Sequence, residues 1–382
     1  MSFSAQSGST LHGGAITVTG STIEGMVTSI AGGGHRRVLM PAAPLSLWRH
    51  GRMLKVGKGL TAVAAPVTSS GVDAILGPFE EFSQSWICDG EERDGSCLHT
   101  SLRVLKNRPA VIWRQEWPRG TSGASSSALG TPNAAICTFP AWAGGAANST
   151  EAPLRLGDLG FVTWTGEFAV TPAWRAGRWP VDYGKWAGDW AMYAGPLTLL
   201  DESGRSLVVG PLSGFTSAVN VLSDDGTGLA AGPHGMVEVL PPGFISETAM
   251  VLGSGVVASQ MGYGSLLLDA HGKSREPPDV SDAVGALMYS ADGYPYYDPA
   301  SGNSTCGNYE DVYLAISKAN KAQGLPFRTN MLDSFWVRGC ASQHLPHAAS
   351  RHSCATLICG VVTRTLAVWP GHPQWHLHVG RQ

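Results

Sequence analysis

Two carboxylates and a knot of aromatic side chains toward the end of the chain have the residue types and spacing for chemistry. Asp333 stands in the stretch NMLDSFW. Asp292 opens the stretch DGYPYYD, which holds Tyr294, Tyr296 and Tyr297. Carboxylates accept hydrogen bonds from sugar hydroxyls, and aromatic faces cover the CH face of a sugar ring. Together these groups suit a neutral polyhydroxylated ligand. Each also has a plain structural alternative, because an Asp just after a strand caps turns and helices.

The elements that must position these residues are legible nearby. AVGALMYS, near residue 284, reads as a buried strand. NYEDVYLAISKANKAQG reads as a helix. Asn308 is suited to cap its start, and Glu310 and Asp311 place negative charge in the first turn. Tyr309, Val312, Tyr313 and Ile316 recur at helical spacing, and Gly324 stops the run. PFRTNMLDSFW then reads as a second strand. Strand, helix and strand of these lengths make one βαβ unit with parallel strands. Parallel α/β units place their chemistry at the carboxyl ends of their strands, so Asp292 and Asp333 are expected on one rim.

Residues 1–283 read differently. AITVTG, AVAAPV, RVLKNRPAVIWRQEW, GFVTWTGEFAV and HGMVEVLP are short β-prone runs between Gly, Pro, Asn and Asp. LTLLDESGRSLVVG reads as a hairpin about its Asp-Glu-Ser-Gly turn. Residues 120–135 are small and polar and read as a surface loop or a disordered insert. The expected fold class is mainly β with a C-terminal α/β part. A large antiparallel β-sandwich (1–283) precedes the first βαβ unit of an incomplete TIM-like barrel (284–339), and a divergent tail follows (340–382).

The residues from YSADGYPYYD through NYEDVYLAISKANKAQGLPFRTNMLDSFW resemble the start of the catalytic barrel in α-galactosidase-like and raffinose-synthase-like glycoside hydrolases. They are most similar to a branch found in protists and algae. That branch reads Trp-Thr-Asp-Asn-Gly-Ala, several tyrosines, a helix, then Leu-Asp-Ser-Trp-Trp. GPLTLLDESGRSLVVGPLSGF and the stretch from LPPGFISETAM to SREPPD resemble the β-sandwich preceding that barrel, so the likeness covers roughly 190–337. It implies a carbohydrate ligand, an α-linked sugar of galactoside type, and a sugar site that includes Asp333, Trp336, Asp292, Tyr296, Tyr297 and Arg328. Leu332, Asp333, Ser334, Trp336 and Arg328 match the pattern. Tyr289 replaces a Trp, Ala291 an Asp and Phe335 a Trp, and Asp292 stands where the pattern has Asn.

In these hydrolases the resemblance puts both catalytic carboxylates on later strands. Retaining hydrolysis needs two carboxyl groups about 5–5.5 Å apart, and a full barrel takes about 250 residues. Only 99 residues run from 284 to 382. Residues 334–382 hold no Asp or Glu, although all 29 acidic residues precede them. The expectation is therefore a protein of glycosidase lineage without identifiable catalytic residues, or a non-catalytic carbohydrate-binding or structural sandwich. The same tail holds six of the twelve histidines and three of the seven cysteines. Three readings of it stay open: a metal site, a divergent surface tail, or a tail shifted in frame from the family's continuation. Its spacings match no standard zinc motif.

Other residue groups carry less. Trp164, Trp174, Trp179, Trp186 and Trp190 offer a stacking platform, but the preferred reading is packing, with Glu167 and Asp182 solvated beside them. Glu80 and Glu81 are strand neighbours and point to opposite faces. AGGGHRR lacks the lysine and the helix of a phosphate loop. Net charge is −3 and charged residues are 14%, so no basic field calls for nucleic acid. No apolar run spans a membrane, and no cofactor is expected. No secretory start is visible, which favours the cytoplasm and reduced thiols. Cys88 and Cys97 are spaced so that they can pair, but reduced thiols are the preferred reading. The oligomeric state is not legible.

Overall fold

A computed structural model describes residues 9–12, 16–21, 26–32, 38–39, 43, 45–89, 95–124, 135–142, 154–155, 159–164, 174–184, 195–222, 228–275, 287–290 and 309–331. The chain divides into two compact units, Met1–Ser274 and Arg275–Gln382.

The first unit is mainly β. Its largest sheet has twelve strands among the described residues. In spatial order these are β15 (Trp174–Arg178), β14 (Gly160–Trp164), β16 (Leu197–Leu200), β17 (Ser206–Pro211), β20 (Phe244–Gly253), β11 (Ala110–Trp117), β10 (Leu98–Leu105), β9 (Gly77–Cys88), β7 (Gly59–Ala62), β6 (Arg52–Val56) and β5 (Ser46–Arg49). β8 (Val67–Asp73) hangs on β9 beside this path. Every pairing is antiparallel except β6 with β7. A three-stranded sheet runs β12 (Ala141–Trp142), β19 (Leu229–Pro233), β18 (Ala218–Leu222). A five-stranded sheet runs β1 (Ser9–His12), β2 (Ile16–Ser21), β3 (Met26–Gly32), β4 (Val38–Leu39), β13 (Leu154–Arg155).

Side-chain alternation explains the layers. On β10, Leu98, Thr100, Leu102 and Val104 are buried while the residues between them are half-exposed. A strand with one face in a core and one toward water reads this way. The inner face carries Trp86, Trp113 and Trp117, each no more than 1% exposed. Trp142 meets Trp113 edge-on, with centroids 5.3 Å apart. Gln115 ties the layers together: its buried amide donates to the carbonyls of Cys137 and Phe139. On the opposite face, Ile112, Val208, Ala249 and Val251 are covered by Tyr263 and Leu266 of helix α2 (Val256–Ala270), which follows the single turn α1 (Val181–Gly184) in the chain. β17, lying beneath that helix, is buried at every position.

α2 corrects the reading of residues 1–283 as strands and turns alone. It has no charged residue before Asp269 and carries Gly262 and Gly264, so neither an amphipathic stripe nor high propensity marks it. Packing on the sheet decides its conformation. The hairpin expected around Asp201 is present as β16 and β17. The Asp201 carboxylate accepts N–H bonds from Ser203 and Arg205, closing the turn. HGMVEVLP is turn and irregular chain rather than strand.

The preference for reduced thiols is also corrected at one pair, because Cys88 and Cys97 form a disulfide. β9 ends at Cys88 and β10 begins at Leu98. Their register sets Trp86 opposite Leu98 and brings the two cysteines within 5.9 Å, Cα to Cα. Cys137 is free and buried, and burial pushes its thiol well above the ordinary range.

The second unit contains β21 (Leu287–Ser290), a helix labelled α3 (Tyr309–Ala322) and β22 (Phe327–Met331). The two strands pair in parallel, as a βαβ unit requires.

Candidate rim of the βαβ unit

β21 and β22 end together. Met288 pairs with Thr329, Tyr289 with Asn330 and Ser290 with Met331, so Ser290 and Met331 are partners at the carboxyl ends of both strands. A parallel pair needs a crossover of a dozen or more residues, and α3 supplies it. Its end follows from local chemistry. Gly324 has φ of +68°, the left-handed region that favours glycine. The Leu325 N–H then bonds the Asn320 carbonyl and the Gly324 N–H bonds that of Lys321, which satisfies the last turn. Ile316 on the expected apolar face is half-buried, while Leu314 is exposed.

Arg328 stands on β22 and is exposed. Asp292, Tyr296, Tyr297, Asp333 and Trp336 lie outside the described residues, as does the His- and Cys-bearing tail. Tyr289, the residue in place of the family's Trp, sets its ring edge-on to Phe327 at 6.1 Å. Thr329, not singled out in the sequence, is buried, and its hydroxyl has no hydrogen-bond partner among the described residues. Its only signal in sequence is a hydroxyl between Arg328 and Asn330 on a short strand.

The remaining sequence candidates resolve as structure where they are described. Trp179 is wholly buried against Phe161 and Tyr183, and the Tyr183 hydroxyl donates to the Asn220 carbonyl. It is a core residue and no open platform. Trp164 and Trp174 are register partners of β14 and β15. Trp186, Trp190 and Glu167 lie outside the described residues. The Asp182 carboxylate accepts the Arg178 N–H at 2.9 Å. Glu80 and Glu81 part as strand neighbours must: Glu80 meets Lys106 at 3.0 Å and Glu81 meets Arg103 at 2.7 Å. A Ser–His arrangement absent from the sequence reading is present on β9 and β10. His99 sits between the hydroxyls of Ser85 (2.7 Å) and Ser96 (2.8 Å). Both ring nitrogens are engaged by hydroxyls, so the group pins the loop beside the disulfide. Among the described residues no cluster of three His, Cys, Asp or Glu side chains is arranged to hold a metal. No helix among them is long and apolar enough to cross a membrane.

No protein-family model matches the chain, and no curated protein matches it. Solved structures of low identity are similar to it. A glycoside hydrolase family 97 enzyme from Pseudoalteromonas sp. strain K8, in complex with acarbose, shares 11% identity at a TM-score of 0.45, over 82% of this chain and 46% of that one. The α-galactosidase from Lactobacillus brevis shares 9% at 0.42, over 83% and 47%. The α-N-acetylgalactosaminidase NagBb from Bifidobacterium bifidum, in complex with GalNAc, shares 12% at 0.41, over 83% and 50%. The chain spans about half the length of these three.

Proposed function

We propose that this chain binds an α-linked, galactoside-type sugar at the rim formed by the ends of β21 and β22, within a protein of glycoside hydrolase lineage. The observation that carries this reading is the register. Ser290 and Met331 are partners at the strand ends, and Asp292 and Asp333 each follow one of them by two residues in sequence. Asp333 accepts sugar hydroxyls, Trp336 and the tyrosines Tyr296 and Tyr297 cover the ring face, and Arg328 donates from β22. Residues 334–382 contain no Asp or Glu, so they supply no counterpart to the later-strand carboxylates that the resemblance assigns to hydrolysis. The function we propose for this chain is binding without turnover.

Calorimetric titration of the full chain with raffinose tests this. Saturable binding is expected, weakened at least tenfold by Asp333→Asn, about 1.4 kcal/mol, with no galactose released. Undiminished binding to the variant, or no binding to the native chain, sinks the proposal. Release of galactose that Asp333→Asn abolishes would replace binding by catalysis.

A further inference from the structure

β8 is the one strand of the large sheet that leaves its main path, and among the described residues it pairs with β9 alone. Alternate residues of such a strand turn their N–H and C=O groups away from the partner, leaving roughly 20 Å of open ladder. The strand is firmly held in place. All seven residues pair with β9 without a register shift. The Asp73 carboxylate accepts the N–H groups of Ile75 and Leu76, both at 2.9 Å, closing the turn to β9. Gly71 faces Phe79, whose ring lies so close that a Cβ there would stand 2.8 Å from it. The Arg103 guanidinium stacks on that ring at 4.7 Å.

Natural sheet edges are blunted by lysine, proline, bulges or a covering element. β8 reads VTSSGVD, with none of the first three. Val67 and Val72 are 59% and 78% exposed. We propose that a second copy of this chain adds to β8, antiparallel, about a two-fold axis at Ser70. A row of backbone donors and acceptors fits only another strand, and a strand this neutral offers no charge to select a different one. It is complementary to itself. About Ser70, Thr68 faces Val72 of the partner subunit, Ser69 faces Gly71 of the partner subunit, and Val67 faces Asp73 of the partner subunit. The lone charge, Asp73, is held by its own turn, so no like charges meet. The contact is isologous and closes at two copies.

Sedimentation of the full chain at tens of micromolar is expected to show a dimer. Ser70 is exposed, so Ser70→Lys preserves the fold by circular dichroism yet sets two lysines opposite each other at the axis. The dimer dissociation constant then rises at least tenfold. Ser70→Cys joins two copies on mild oxidation, whereas Ser69→Cys, opposite glycine, stays at the level of the native chain. A monomeric native chain, a dimer indifferent to Ser70→Lys, or equal crosslinking of the two cysteine variants overturns the proposal.

Discussion

The two units solve the burial problem in opposite ways. In the first, antiparallel strands close their own core: Trp86, Trp113 and Trp117 fill one face of the large sheet, and α2 covers part of the other. In the second, Thr329 is the only buried side chain among the described residues, while Leu287, Met288, Leu314 and Leu325 are between 42% and 54% exposed. Parallel strands reach stability when both faces are covered, and among the described residues β21, α3 and β22 leave these apolar side chains open. The difference teaches that, among the described residues, the filled core lies in the first unit.

The sharpest way to break this contrast is to damage the stronger side. Trp113→Ala removes a side chain packed edge-on to Trp142 and is expected to cost about 3–5 kcal/mol; a urea midpoint unchanged from the native chain would deny the tryptophan layer its role. Amide exchange compares the units directly. Amides of β21 and β22 are expected to exchange about 100-fold faster than those of β10 and β11, a difference of ~2.7 kcal/mol in opening free energy, and equal protection would erase the distinction. Removing the disulfide comes next. Replacing Cys88 and Cys97 together by serine is expected to cost about 2–3 kcal/mol for so short a loop, read as a lower thermal midpoint that dithiothreitol does not depress further.

The smallest effect concerns the turn of β8. Hydrogen bonds from the Leu76 and Ile75 N–H groups hold the Asp73 carboxyl below its ordinary value, against a lesser opposing effect of burial and with the smallest contribution from Arg103. A lowered folded value means the ionised group stabilises the hairpin above the ordinary value of 3.8, and this is lost as pH falls through the lower folded value. Asp73→Asn is therefore expected to cost about 1 kcal/mol at neutral pH and nothing at the acid end. A cost that persists at the lowest pH would assign the loss to something other than charge.

Much of the frame was legible because its signals are local. The Asp201 turn, the α3 stop at Gly324 and the parallel βαβ unit each rest on turn chemistry or periodicity within a few residues. Part of the candidate rim was legible in the same way, since the strand ends that set its register bear their own pattern. Where sequence reading failed, the deciding contact was distant. The cysteines were judged by compartment, while strand register brought them together. Packing, the preferred reading of Trp179 from sequence, agrees with its enclosure by Phe161 and Tyr183.

By itself, the sequence determined the β-rich class of the first unit, the hairpin at Asp201 and the strand–helix–strand order of the second, because turns, caps and alternation act between residues close in the chain. Only the tertiary structure decided that Val256–Ala270 is a helix, that Cys88 joins Cys97, and that β8 pairs with β9 alone among the described residues. Each depends on which strands lie side by side, and that pairing is set by burying a shared core rather than by any segment's own preference.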